Sequence, residues 1–134
     1  MAANVLVDAS FLIALLSRRE ADHKWADRQA LRLPPPWKTC DAVLSEAFHL
    51  LGGIDGLSAL LRRGAVVSSF RSDEATSPVL DLMDKYSNVP MSFADACLVR
   101  MTEILSDPVL LTTDDDFRIY RRHSRQVVPC VMPG

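Results

Sequence analysis

Six carboxylates, at positions 8, 46, 95 and 114–116, stand where they could do chemistry as well as hold structure. Asp8 closes the apolar run Val5-Leu6-Val7 and precedes Ala9-Ser10. Glu46 lies among Val43, Ala47 and Leu50, which recur at i, i+4 and i+7. That spacing forms one helix face, and Glu46 falls on or beside it. A lone carboxylate there is costly unless it is paired, hydrogen-bonded or bound to a cation. Asp95 follows Ser92 at capping-box spacing, with Asp where Glu or Gln is commoner. Its neighbours are apolar, so its helix end is expected to be buried, where the helix dipole favours an anion. Asp114, Asp115 and Asp116 follow Val109-Leu110-Leu111-Thr112-Thr113. Three adjacent carboxylates repel one another, and capping needs only one.

Each position also has a plain structural use: a loop Asp or accessory cap at 8, a snorkelling Glu at 46, capping at 92 and 95. The set says more than its members. Two acids end strands, and two lie on helices that can point at the same edge. Clustered carboxylates without a cation cannot all stay ionised. Hard oxygen ligands without His or Cys partners favour Mg²⁺ or Mn²⁺ over zinc. Held by carboxylates, such ions activate water and stabilise a phosphodiester leaving group.

The elements that must carry these residues alternate. Residues 4–7 read as a buried strand, and Ser10 is placed to cap a helix over 11–17. A more polar helix over 21–31 carries Trp25. Residues 37–40 form a short strand, and Asp41 is placed to cap a helix through Leu51, ended by Gly52-Gly53. A short helix spans 55–63 and a strand 65–70. Ser77-Pro78 reads as an N-cap with proline at the first helical position, followed by Val79, Leu82, Met83 and Tyr86 at helical spacing. A helix over 92–105, a strand over 109–112, a short helix over 117–122 and a strand over 127–131 complete the pattern. Strands alternating with helices predict an α/β fold with a parallel sheet covered on both faces. Ligands of such sheets sit beyond the carboxyl ends of the strands.

The 134 residues suit a single domain over 1–134, with 49% hydrophobic and 24% charged residues. No stretch longer than nine residues lacks a charge, which excludes a helical membrane span of about 20 apolar residues. Residues 1–8 have no basic region or long apolar core, so no secretory leader is expected. Cys40, Cys97 and Cys130 are odd in number and far apart, as in a reducing cytoplasm. The net charge of -2 argues by itself against a nucleic-acid binder.

Four pieces carry a resemblance: Val7-Asp8-Ala9-Ser10, the run from Cys40 to Glu46, Ser92-Phe93-Ala94-Asp95-Ala96, and the run from Leu111 to Phe117. In this order they resemble the PIN-domain family of metal-dependent nucleases, over residues 5–131. Length and compactness look like the VapC-type toxins of toxin–antitoxin pairs. The resemblance implies a three-layer α/β/α sandwich with a mainly parallel sheet of about five strands. It also implies that Asp8, Glu46, Asp95 and Asp114 form the catalytic metal site, with Asp116 as a variable fifth acid. Ser10, Ser92 and Thr112 match supporting hydroxyl positions. Asp115 departs from the pattern, standing where a basic or polar residue is common. The activity implied is hydrolysis of RNA phosphodiester bonds, in transfer or ribosomal RNA, with one or two Mg²⁺ or Mn²⁺ ions. The partners implied are a VapB-like antitoxin and a second copy of the chain.

Two other functions stay open on the residues: a PIN-fold module that binds RNA or protein without cutting, and another Mg²⁺ phosphoesterase. The latter lacks the Asp-x-Asp expected of a haloacid-dehalogenase-like site, since Asp8 is followed by Ala9-Ser10. Arg118, Arg121 and Arg122 follow the acidic triplet and are candidate phosphate contacts; a solvated helix face is the plainer use for them. The six acids at 8, 46, 95 and 114–116 belong to the proposed site. The other 11 of the 17 acids face 15 Lys and Arg, so the rest of the chain is basic.

Overall fold

A computed structural model describes residues 2–134. β1 (Asn4–Val7) leads into α1 (Ala9–Leu16) and α2 (His23–Arg32). β2 (Trp37–Cys40) precedes α3 (Asp41–Leu51) and α4 (Leu57–Arg62). β3 (Val66–Phe70) precedes α5 (Thr76–Lys85), α6 (Phe93–Ile104) and β4 (Pro108–Leu111). The chain closes with β5 (Arg121–Arg122), β6 (Gln126–Val127) and β7 (Cys130–Val131). Five strands form a parallel sheet in the order β3-β2-β1-β4-β7, and β5 and β6 form a separate antiparallel hairpin.

Successive residues of a strand point to opposite faces. Leu6 and Val7 of β1 are both fully buried, as are Leu110 and Leu111 of β4. Helices therefore cover both faces, which is the expected three-layer α/β/α arrangement. Phe11 anchors one layer. Its ring meets Trp25 at 6.0 Å and Trp37 at 5.4 Å, both edge-on. Such pairs add about 1 kcal/mol each beyond area burial.

The winding sets the site. From β1 the chain steps outward to β2 and β3, then returns to β4 on β1's other side. A crevice opens at such a switch, beyond the carboxyl ends of the two strands. Val7 pairs with Leu111, so Asp8 and Thr112 enter the crevice side by side.

Several local expectations are corrected. Asp8, not Ser10, caps α1: it leaves β1 with extended backbone and accepts the Ala9 N–H. Cys40 is the N-cap of α3, and Asp41 is its first helical residue. The buried stripe of α3 is Val43, Ala47 and Leu51, while Leu50 is 56% exposed. α4 starts only at Leu57, after Gly56 at φ 122. That positive φ is what calls for glycine there; a Cβ would meet only the movable tip of Leu16, at 2.7 Å from its Cδ2. α5 begins at Thr76 after Ala75, so Ser77 is not its cap. Pro78 still lies in the first turn, where its missing N–H has no helical partner to lose.

The helix expected over 117–122 is a 3-10 turn, Asp115–Arg118, followed by β5. The strand expected over 127–131 is split between β6 and β7. Val128 turns into the core at 1% exposure, and Pro129 has no N–H to extend a ladder. Among the described residues, no helix is long and apolar enough to cross a membrane.

Candidate metal centre

Asp8 is 5% exposed. Its carboxylate accepts the Ala9 N–H at 2.7 Å, the Ser10 hydroxyl at 3.0 Å and the Thr112 hydroxyl at 2.8 Å. Those hydroxyls accept in turn: Ser10 Oγ takes the Thr113 N–H and Thr112 Oγ1 takes the Asp114 N–H, each at 3.0 Å. The ends of β1 and β4 are thus stitched together through one carboxylate. Ser10 and Thr112, the two hydroxyls expected to support the site, both bond to Asp8 and lie 3.1 Å from each other.

Asp95 stands in the first turn of α6 and is 8% exposed. Ser92 caps that helix by accepting the Asp95 N–H at 3.0 Å. Asp95 Oδ2 accepts the Tyr120 hydroxyl at 3.0 Å. Asp114 caps the 3-10 turn by accepting the Asp116 N–H at 2.9 Å. Asp114 and Asp116 are half-buried, whereas Asp115 is exposed and pairs with Arg118 at 3.3 Å.

These acids share one electrostatic field. Burial pushes the Asp8 carboxyl from 3.8 up to about 6; its hydrogen bonds pull against this, and the Asp114 charge adds to it. Asp95 is pushed up to about 7, first by burial and then by the Asp8 charge; the Tyr120 hydroxyl opposes the rise, and Asp114 adds to it. Among the described residues, no Lys, Arg or His forms an ion pair with Asp8, Asp95 or Asp114. Among the described residues, negative charge is concentrated here with no ion pair to balance it.

Glu46 is placed differently. The shift of the buried stripe from Leu50 to Leu51 leaves Glu46 on the exposed side of α3. Of the two placements the helix pattern allows, on the apolar stripe or beside it, Glu46 takes the second. The charge resolved as acting on Asp8 is that of Asp114, and those acting on Asp95 are Asp8's and Asp114's. Among the described residues, no three of His, Cys, Asp or Glu converge closely enough to hold one ion. The donor set still fits a hard cation. Mg²⁺ is held through one or two carboxylates and keeps several waters, and Asp8 and Asp95 are carboxylates whose ionisation such a cation would favour.

The arginines divide. Arg121 Nη1 donates to the carbonyls of Arg118, Ile119 and Tyr120, at 2.7, 3.2 and 3.0 Å. Arg122 donates to the Thr102 carbonyl at the end of α6, and its Nε is buried. Both guanidinium groups hold main chain, because the segment turns back where a helix would have splayed them outward. Arg118 is exposed beside Asp115 and Met132. Sequence reasoning gave Tyr120 no role. Its signal was slight: an aromatic one helical turn beyond Asp116, whose carbonyl accepts the Tyr120 N–H.

A parallel α/β/α fold with acids gathered at its winding switch defines a class of crevice whose donors suit a hard cation. The chain matches the PIN domain over residues 5–122 and belongs to that family. No curated protein matches it in sequence. Among solved structures it is similar to Mycobacterium tuberculosis VapC20, described as a Sarcin-Ricin loop cleaving toxin. That match has a TM-score of 0.68 and 24% identity, covering 84% of this chain and 92% of the other.

Proposed function

We propose that this chain is a metal-dependent endoribonuclease of the PIN family and the toxin of a VapBC-like pair. The observation that carries the reading is the joint placement of buried Asp8 and Asp95 with Asp114 at the β1–β4 switch, with no ion pair to them among the described residues. Asp8 and Asp95 would hold one or two Mg²⁺ or Mn²⁺ ions directly, with Asp114, Asp116 and Glu46 reaching them through the waters such ions keep. When bound, such an ion supplies a Lewis acid for the phosphodiester and makes water more acidic. Ser10 and Thr112 fix Asp8, and Ser92 fixes the helix end that presents Asp95. Arg118 offers a phosphate contact beside the acids.

The described activity of VapC20 supports RNA as substrate, with ribosomal or transfer RNA as the class to test. The reading calls for an antitoxin and a second copy of the chain as cytoplasmic partners. Phe48, Leu50 and Ile54 expose apolar surface suited to such contacts. The test is cleavage of RNA by purified protein in Mn²⁺ or Mg²⁺, abolished by EDTA. Folded protein that binds RNA without cutting it would favour the binding module. Hydrolysis of small phosphoesters alone would favour the phosphoesterase.

A further inference from the structure

Tyr120 is fully buried, and its hydroxyl is spent on an acid of the crevice. The ring lies edge-on to Phe117 at 5.3 Å and meets Tyr86 at 5.2 Å. Its N–H is held by the Asp116 carbonyl at 3.2 Å. Tyr86 is fixed in turn, its hydroxyl accepting the Arg121 N–H at 2.9 Å. Two rings and the turn's own backbone therefore immobilise the phenol. Its oxygen is aimed across 25 positions of sequence at Asp95 Oδ2.

A hydrogen bond to one oxygen stops a carboxylate from rotating and leaves the other oxygen free. Groups behind a metal ligand act in this way, orienting it and tuning its basicity. We propose that Tyr120 is a positioning residue of the cation site: its hydroxyl holds Asp95 Oδ2, so that Oδ1 faces the crevice as the ligand atom. The proposal rests on the metal-centre reading above. Tyr120 also joins the two elements that bear the acids, because the turn that carries Asp114 and Asp116 is the one that places its ring.

Tyr120→Phe removes the hydroxyl and keeps the ring. Mn²⁺ binding is measured by calorimetry on RNA-free protein for the parent, Y120F, D95N and the double variant. Thermal unfolding without metal checks that each is folded. The expected result is about 10-fold weaker Mn²⁺ binding in Y120F, with no further loss when Y120F is added to D95N. RNA cleavage by Y120F is expected to lose kcat at low Mn²⁺, recover at saturating Mn²⁺, and keep its KM for RNA. If the parent binds Mn²⁺ and folded Y120F binds it equally well, this proposal fails alone. Equal losses from Y120F in the parent and D95N backgrounds would also overturn it, since Tyr120 would then not act through Asp95. A parent that binds no Mn²⁺ overturns the metal reading and this proposal together.

Discussion

Asp8 and Asp95 bind protons more tightly in the folded chain than ordinary carboxylates do. Their contribution to stability is therefore fully present below about pH 4, the unfolded range. It is lost as pH rises through about 6 and about 7, their folded values. For Asp8 alone the shift corresponds to about 3 kcal/mol. In EDTA, the urea midpoint is expected to be lower at pH 8 than at pH 5. Mg²⁺ is expected to raise the midpoint more at pH 8, because it binds the ionised pair. A midpoint that climbs from pH 5 to pH 8 without metal would contradict this account. Asp95→Asn removes one of those charges while keeping the shape. It is expected to cut RNA cleavage by about 100-fold or more and to raise metal-free stability at pH 8. Cleavage at the parent rate by folded D95N would remove Asp95 from the site.

The placement of the acids depends on where short elements end. Ser92 is the cap that sets where α6 begins, and Asp95 lies within its first turn. Ser92→Ala is expected to lower stability by about 1 kcal/mol and to weaken Mn²⁺ binding as the helix end frays; unchanged binding would show that the cap does not matter to the site. The β5 segment gives a contrast between arginines. Arg118→Glu is expected to weaken RNA binding and flatten its salt dependence, since Arg118 is exposed. Arg122→Ala is expected to act on unfolding instead, because its guanidinium holds the end of α6. A larger RNA-binding loss in R122A than in R118E would reverse that assignment.

These elements were legible to different degrees. The apolar runs of β1 and β4, each followed by an acid, announced both strands and the crevice between them. The helix stripe of α3 was legible, but its phase was not. Leu50 and Leu51 both continue the spacing from Val43 and Ala47, and only packing against α1 and the sheet selects Leu51. That choice turned Glu46 outward. The turn after β4 misled in another way, since Phe117 and Tyr120 have the spacing of a helix face as well as of a single 3-10 turn. The Tyr120–Asp95 bond joins residues on separate elements, and no local pattern encodes it.

At the scale of the molecule, the net charge of -2 hides two opposed regions. An acidic crevice is set in a chain whose remaining charges are on balance basic. RNA binding is therefore expected to depend first on divalent metal and second on the arginines near the crevice. Fluorescence anisotropy with labelled RNA, in EDTA and in Ca²⁺ to avoid turnover, measures this. Tight binding in EDTA would contradict it. The stitch between β1 and β4 carries a last consequence. Asp8 and Thr112 are 104 positions apart, so the first strand waits for the fourth before its acid is held. A growing polypeptide that has made only its amino-terminal half carries Asp8 without the hydroxyl and strand that complete its surroundings. For the nuclease proposed above, the site would be incomplete until β4 has slotted in next to β1, so the order of synthesis would itself delay activity beside the ribosome.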